Sequence, residues 1–323
     1  MEVINMRLTN THDISLENTI QGIKLAYPSL KQVSGIFGFI DRNFNDEHIP
    51  LISGGGAGHD PAHWGFVGPG MLSASITGEL FEPPTPEEII TVTKKTTTLK
   101  KAFYIVKNFP KDVAAFTQAK VTLEDKGWQI GMVIVRDDVS VDSSFEKRRR
   151  GVAGTILIHK ILGYYAQKGA NIDTLEMIGQ HLTENLKTID VAFSGDNFNL
   201  KDNEIYYGIG IHGEPGYRKE EFKSSELLAR ELIAKLRLNF QWYKGDTFVV
   251  LINSLGGTTP IENLIFNNDV CSLLALDNIN IAFDKVGTFL SSYGINGISL
   301  SLLKVEDADW LHALQAPVNV PAW

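Results

Sequence analysis

Residues 49–63 read IPLISGGGAGHDPAH, and this stretch decides the fold. Its apolar start predicts a buried strand, and the glycines that follow let the backbone turn and approach a ligand closely with its amides facing inward. The stretch lacks the G-x-x-x-x-G-K-[ST] order of a nucleotide phosphate loop, which occurs nowhere else in the chain. His59 and His63 favour a polar ligand site here. The alternative is a tight turn whose histidines bond to the backbone.

Outward from this stretch, short β-branched runs alternate with helical patterns, which predicts an α/β protein. Besides the strand at 49–53, strands are expected at 103–109, 130–136, 188–193, 205–211, 247–252 and 297–304. Helices are expected at 15–27, 174–187 and 225–238. Asp173, with Glu176 three residues later, is the expected capping-box start of the second helix.

The chain is long enough for two domains, and its 323 residues are expected to divide into 1–188 and 189–323. The boundary follows the helix expected at 174–187. Segment 194–203, SGDNFNLKDN, is polar and rich in turn-forming residues, so an exposed loop is expected there. The ligand site is expected between the glycine-rich loop of the first domain and a histidine-bearing strand end of the second.

Composition limits the classes of function. The net charge is −8, from 30 basic and 38 acidic side chains, so direct contact with nucleic acid is not expected. The one basic cluster, Lys147–Arg150, is interpreted as a solvated helix start. The first 18 residues lack the features of a secretion signal, and no apolar run is long enough to cross a bilayer, so a cytoplasmic protein without membrane contact is expected. The single Cys271 excludes an internal disulfide and a multi-cysteine zinc site, and no metal or cofactor is expected.

Two further segments carry chemistry. KNFPKD (107–112) follows a predicted strand, where ligands collect in α/β sheets, and Asp112 could accept a hydrogen bond from a substrate hydroxyl or act as a base. Taken alone, this segment favours Asp112 as the N-cap of the next helix. GIGIHGEPG (208–216) presents His212 where glycines interrupt a strand, which favours a histidine pointing into a cleft. A neutral imidazole can attack a carbonyl, and a core histidine is the alternative interpretation.

Taken together, GGGAGHDPAHWGFVGPGMLSASITGELFEPPTPEEI (54–89) and YYGIGIHGEPG (206–216) resemble the dihydroxyacetone-binding subunit of the dihydroxyacetone kinase family. The resemblance covers nearly the whole chain, because RRGVAGT (149–155), NSLGGTTPIE (253–262) and LHALQAPVNVPAW (311–323) also fit that family. It implies two α/β domains, a homodimer and dihydroxyacetone as the ligand.

The resemblance also implies roles for individual residues. His212 is expected to capture dihydroxyacetone as a covalent hemiaminal, while His59 and Asp112 hydrogen-bond the substrate hydroxyls and assist transfer. Lys107 and the backbone of Gly56, Ala57 and Gly58 are expected to line the same site. A covalent bond to carbon suits a ligand of few atoms, since non-covalent contacts give such ligands at most about 1.5 kcal/mol per atom. It also selects a ketone over glycerol, which cannot form the adduct.

Departures from the family pattern bear on activity. Where the kinases favour N-Y-T-G-D, this chain has N-F-P-K-D, so Pro110 and Lys111 precede Asp112. Ala57 and Asp60 also replace the usual serine and glutamate. With these changes the chain resembles a paralogue of the family that serves as coactivator of a TetR-like transcription factor. The first hypothesis is therefore that the chain is a ligand-sensing coactivator of a dihydroxyacetone kinase operon. The alternative is a working kinase subunit that meets a separate nucleotide-bearing subunit.

Overall fold

The computed structural model describes residues 8–9, 15–140, 148–196 and 198–323. The first of two sheets contains β1 (Leu30–Gln32), β2 (Gly38–Asp41), β3 (Leu51–Ala57), β4 (Ala74–Leu80), β5 (Lys101–Lys107) and β6 (Gln129–Val135). In space the strands follow the order β1-β2-β4-β3-β5-β6, and β4, β3, β5 and β6 run parallel. Carboxyl ends of parallel strands meet at one edge of a sheet, so the glycines that end β3 lie beside Lys107 at the end of β5.

Helices cover both faces of this sheet. They are α1 (Ser15–Ala26), α2 (Pro86–Thr96), α3 (Pro110–Glu124), α4 (Thr155–Gln167) and α5 (Ile172–Asn185). α2 begins with a capping box between Thr85 and Glu88 and has proline in its first turn, so its amino end is set by sequence. α2 and α3 pack on the outer face through Ile89 and Phe116, which share a core cluster with Tyr104 of β5.

The second sheet is mostly antiparallel. Its strands are β7 (Leu186–Gly195), β8 (Glu204–Tyr207), β9 (Arg218–Glu221), β10 (Thr247–Ser254), β11 (Asn280–Gly287) and β12 (Ile295–Lys304), and its helices are α6 (Ser225–Arg237), α7 (Pro260–Leu276) and α8 (Asp309–Gln315). The order is β11-β10-β12-β7-β8-β9, and only the β10–β11 pairing is parallel. α6 and α7 cover one face of this sheet through Leu232 and Phe266.

One core cluster joins the two sheets. Leu51 and Ile105 of the first sheet belong to the same cluster as Val249 and Leu303 of the second, and α4 contributes to this cluster. α4 is buried on nearly all sides, as expected for a helix inside the core. The side chains that the two sheets bring together are therefore held by shared packing. β7 begins close to the expected domain boundary, and the division into 1–188 and 189–323 stays a prediction.

The expected α/β class is confirmed, with helices packed on two sheets. Each expected strand overlaps an observed one. The strand expected at 205–211 is too long, because β8 ends at Tyr207 and Gly208 turns the chain with a φ of +72°. The expected start of α5 is wrong. Its N-cap is Asn171, whose side chain accepts from the amide of Thr174, whereas Glu176 accepts from the amide of Met132.

Two other interpretations need correction. Phe109 is the N-cap of α3, so Asp112 lies in the first turn and does not cap the helix. Within the cluster 147–150, Arg149 is 2% exposed and Arg150 is largely buried, so these two are not solvated. Lys147 lies outside the described residues, as do most of the first 14 residues and Asn197 of the expected loop 194–203. The part of the chain that the structure describes contains no helix long and apolar enough to cross a membrane.

Candidate functional site

His212 lies in the turn after β8, and Glu214 fixes its ring. The Nδ1 atom of His212 lies 3.1 Å from Oε1 of Glu214, and the backbone amide of His212 donates to Oε2 at 3.0 Å. Burial raises the pKa of Glu214, but hydrogen bonding and attraction to His212, with Arg150 nearby, lower it to about 2. An ionised carboxylate only accepts, so Nδ1 carries a proton, and in the neutral form of the ring Nε2 keeps its lone pair.

His59 faces His212 from the first sheet. The two ring centroids are 4.8 Å apart, and His59 is 1% exposed. Its Nδ1 lies 3.0 Å from the carbonyl of Ser291, which fixes the proton on Nδ1. Burial, together with the charges of Lys107 and His212, lowers the pKa of His59 well below its usual range. The ring is therefore neutral, and its Nε2 is an acceptor that has no partner among the described residues.

Lys107 and Asp112 lie beside the glycines of β3. A Cβ added to Gly55 would lie 2.5 Å from Nζ of Lys107 and 3.0 Å from Oδ1 of Asp112, so a side chain here would occupy the place of these groups. Burial raises the pKa of Asp112, opposed by the charges of Lys107 and His212, and burial lowers the pKa of Lys107. Within the described chain, Oδ1 of Asp112 has no hydrogen-bond partner. The pair can exchange protons with a ligand.

The glycine loop itself is held by backbone hydrogen bonds. The amide of Tyr293 donates to the carbonyl of Gly58 at 2.8 Å, and the amide of Phe81 donates to the carbonyl of Ala57 at 3.0 Å. A Cβ on Gly56 would lie 2.7 Å from backbone atoms of Phe81 and Glu82. The loop therefore sits between chain segments of both sheets, which positions His59 next to His212.

Two aromatic side chains that follow strands of the first sheet flank the His212 ring. The ring centroids of Phe109 and Phe81 lie 4.4 Å and 5.5 Å from that of His212. Next to them, Nζ of Lys111 pairs with Glu82 at 2.6 Å. This pair joins the start of α3 to the segment after β4. The result is a small, partly closed site whose walls come from both sheets.

The sequence-predicted residues are thus brought together, with the exception of His63. His63 lies behind the site in a buried polar chain: its Nε2 is 2.9 Å from Nζ of Lys107, and its Nδ1 is 3.4 Å from Oγ of Ser53. Ser53 Oγ in turn lies 3.2 Å from Nε2 of His159. Burial and the charge of Lys107 lower the pKa of His159 to about 3, so this ring is neutral. Sequence reasoning missed His159 and Glu214, although Glu214 stands only two residues from His212.

The acidic and histidine side chains do not form a metal centre. Within the part of the chain that is described, no group of three or more histidine, cysteine, aspartate or glutamate side chains could hold a metal ion. What the site combines is the His212 ring, held through Nδ1 by Glu214, with a neutral histidine acceptor and a buried lysine–carboxyl pair. Such a set can bind a small polyhydroxylated carbonyl compound and add a nitrogen to it.

Known proteins share the whole of this architecture. The Dak1 domain family matches residues 21–322. The DhaKLM operon coactivator DhaQ of Lactococcus lactis is 40% identical over 98% of this chain and all of its own length. The dihydroxyacetone-binding subunit DhaK of the PTS-dependent dihydroxyacetone kinase of the same organism is 39% identical over 98% of each chain.

A solved structure agrees with these relatives. The structure of the dihydroxyacetone kinase operon co-activator Dha-DhaQ superimposes with a TM-score of 0.92, at 40% identity, and covers 95% of this chain and 98% of its own. The family match, the identity and the superposition all span both sheets and therefore both sides of the site. This chain belongs to the Dak1 domain family.

Proposed function

We propose that this chain binds dihydroxyacetone as a hemiaminal on His212 and acts as coactivator of a TetR-like transcription factor that controls a dihydroxyacetone kinase operon. The observation that carries the proposal is the pairing of His212 with Glu214. It leaves Nε2 as the nucleophile, beside the neutral ring of His59 and the two aromatic rings that flank His212. The coactivator named among the relatives supports the regulatory part.

The chemistry balances with the groups at hand. The lone pair on Nε2 of His212 forms a bond to the carbonyl carbon while the C=O π bond breaks. The imidazole keeps its Nδ1 proton, and the positive charge that forms on the ring is paired with ionised Glu214, while the former carbonyl oxygen takes a proton from the Lys107–Asp112 pair. His59 accepts from one hydroxyl through Nε2, and the segment Gly56–Gly58 lines the site. The product is a hemiaminal whose ring cation is paired with Glu214, and the reverse path releases the ketone and returns the proton to the Lys107–Asp112 pair.

The start of α3 favours a coactivator over a kinase subunit. Lys111 is tied to Glu82 at 2.6 Å beside the aromatic rings that flank His212, and Pro110 begins the helix that carries Asp112. Proline restricts the backbone of the turn that leads to Asp112, and the exposed ion pair joins the two segments that flank the His212 ring. A kinase subunit is the second candidate. It is supported by the retention of Asp112 and by the kinase subunit among the relatives.

The regulatory proposal includes the assembly. The coactivator would be a cytoplasmic homodimer that leaves DNA contact to its partner, in keeping with a net charge of −8. The ketose can shift the equilibrium between two conformations only by its unequal affinity for them. The adduct requires His212 to lie next to the residues of the first sheet, so it would form in one conformation and supply this difference in affinity.

Adduct formation is tested with dihydroxyacetone carrying carbon-13 at its carbonyl carbon. The expected result is a carbon resonance typical of a carbon bonded to both nitrogen and oxygen, together with a mass increase of one triose. His212→Ala should abolish both, while the circular dichroism stays unchanged. His312→Ala, a change to an exposed histidine, is the matched control. An adduct that persists in His212→Ala would contradict the proposal.

The regulatory role needs a separate test. The chain is mixed with the TetR-like protein and its operator DNA, and complex formation is followed by gel filtration with and without dihydroxyacetone. We expect a complex that the ketose tightens. In parallel, the chain is mixed with a nucleotide-bearing kinase subunit. Robust formation of dihydroxyacetone phosphate in that mixture would replace the coactivator proposal with the kinase one.

A further inference from the structure

One arginine of the first half holds the turn that carries His212. Nη2 of Arg150 donates to the carbonyl of Gly208 at 2.9 Å and to Oγ of Ser140 at 2.7 Å, and Nε donates to Asp138 at 2.6 Å. The side chain of Arg150 is only 13% exposed, so these contacts are shielded from water. Arg150 thus fixes the point at which the chain leaves β8 and turns towards His212.

The same guanidinium also faces Glu214. Nη1 of Arg150 lies 3.8 Å from Oε2 of Glu214. A Cβ added to Gly210 would lie 1.9 Å from Oε2 of Glu214 and 2.3 Å from Nη1 of Arg150, so glycine leaves the space in which the two side chains meet. Arg150 stabilises the ionised form of Glu214, and ionised Glu214 holds the proton of His212 on Nδ1.

The backbone around Arg150 is anchored to the other side of the site. The side-chain amide of Asn108 donates to the carbonyl of Arg149 at 2.6 Å. A Cβ on Gly151 would lie 2.8 Å from Cα of Lys107 and 2.9 Å from the amide nitrogen of Asn108, so this segment runs directly against the end of β5. A single short segment therefore contacts both the strand end that carries Lys107 and the turn that carries His212.

We propose that Arg150 is a positioning residue for the hemiaminal: through Glu214 and the carbonyl of Gly208 it holds the proton of the neutral His212 ring on Nδ1 and directs Nε2 towards the Lys107 side of the site. This inference rests on the proposed adduct at His212. It assigns a role to the segment RRGVAGT, which the proposed function leaves unexplained. Arg150 itself does not bond to the ketose.

The test uses Arg150→Met and Arg150→Lys in the full chain, with Arg230→Met as the matched control because Arg230 forms an exposed ion pair with Glu226. Lysine keeps the charge beside Asp138 but cannot form the branched set of bonds. Loss of a charge-assisted hydrogen bond of this kind is expected to weaken dihydroxyacetone binding roughly 10- to 100-fold in Arg150→Met. Arg150→Lys should lose less, and Arg230→Met should bind as the wild type does.

A second measurement distinguishes a positioning role of Arg150 from a general loss of structure. Nitrogen-15 labelling of histidine reports which ring nitrogen of His212 carries the proton, and His212→Ala identifies its signals. The wild type should show the proton on Nδ1, and Arg150→Met should show a mixture of the two tautomers at unchanged circular dichroism. Should Arg150→Met fail to fold, Arg150→Lys alone must show both effects in smaller measure.

The outcomes distinguish this inference from the proposed function. If the wild type forms no adduct with dihydroxyacetone, the proposed function fails. If the wild type forms the adduct and both Arg150 variants match it in affinity and in tautomer, Arg150 has no positioning role and only this inference is overturned.

Discussion

His212 and His59 are held in the same tautomer, although His212 is the proposed nucleophile and His59 the proposed hydrogen-bond acceptor. Each donates its Nδ1 proton to an acceptor, Glu214 in one case and the carbonyl of Ser291 in the other. In the neutral form of each ring, Nε2 then has no proton to give. In the proposed reaction the proton for the new hydroxyl must therefore come from the Lys107–Asp112 pair, where burial raises the pKa of the carboxyl.

The variant Gly55→Ala tests the Lys107–Asp112 pair by adding a single methyl group. In Gly55→Ala the new Cβ would displace the ends of two side chains, Nζ of Lys107 and Oδ1 of Asp112, and would meet no backbone atom at comparable range. We expect the fold to persist and the affinity for dihydroxyacetone, measured by calorimetry, to fall at least about tenfold, since two buried polar contacts are disturbed. Gly22→Ala, with open space around it, is the control. Equal binding by Gly55→Ala and wild type would remove Lys107 and Asp112 from the site.

Local sequence revealed the histidines that glycines flank in the chain, but it did not reveal Glu214, two residues from His212. The glycines around His59 and His212 predicted a close approach of backbone to ligand, and both histidines do meet. His159 and Arg150 gave no such signal, because their partners are distant: Ser53 lies 106 residues from His159, and Gly208 lies 58 from Arg150. Contacts of this kind depend on how the two sheets pack, and the hydrophobic periodicity of the sequence does not predict that packing.

At the scale of the elements, α5 shows how a helix start is misread. Asp173 and Glu176 have capping-box spacing, but Asn171 two residues earlier can also cap, and spacing alone does not rank the two. The structure selects Asn171, since Glu176 is needed at the amide of Met132 in β6. A tertiary contact thus decides where the helix begins. A tertiary contact is also present at the end of β8, where Gly208 turns the chain and its carbonyl accepts from Arg150.

The corrected start of α5 can be measured. Asn171→Ala removes the acceptor for the amide of Thr174 and should lower the free energy of unfolding by about 1 kcal/mol. Asp173→Ala removes only a favourable charge in the first helical turn and should cost about half as much or less. Urea denaturation of both variants gives the comparison. A larger loss in Asp173→Ala than in Asn171→Ala would restore the capping box predicted from sequence.

Across the whole molecule, the two sheets behave as parts of one core. Leu51 and Leu303 belong to one cluster, and the amides of Ser291 and Tyr293 donate to carbonyls of the glycine loop across the boundary. The site lies on this boundary. Any motion of one sheet against the other would separate His212 from His59, and the adduct would resist that motion. Under the proposed function, packing between the sheets and capture of the ketose are therefore coupled.

The segment 316–323 supplies part of that packing. The amide of Ala322 donates to the carbonyl of Gly65 at 2.9 Å, while Trp323 stacks on Phe283 of β11 with ring centroids 6.2 Å apart and lies under Nζ of Lys285 at 4.4 Å. Trp323→Ala should cost about 2 kcal/mol of stability, since the ring is only half-buried. Tyr243→Ala, at an exposed aromatic residue, should cost far less.

Because the segment that ends in Trp323 contacts both sheets, loss of the Trp323 ring should destabilise both of them. Hydrogen exchange of Trp323→Ala is expected to quicken in residues 64–70 as well as in β11, and thermal unfolding should remain a single transition at a lower temperature. Faster exchange confined to β11, or two separate transitions, would mean that the sheets unfold independently. The site between them would then depend on the bound ketose to hold it together.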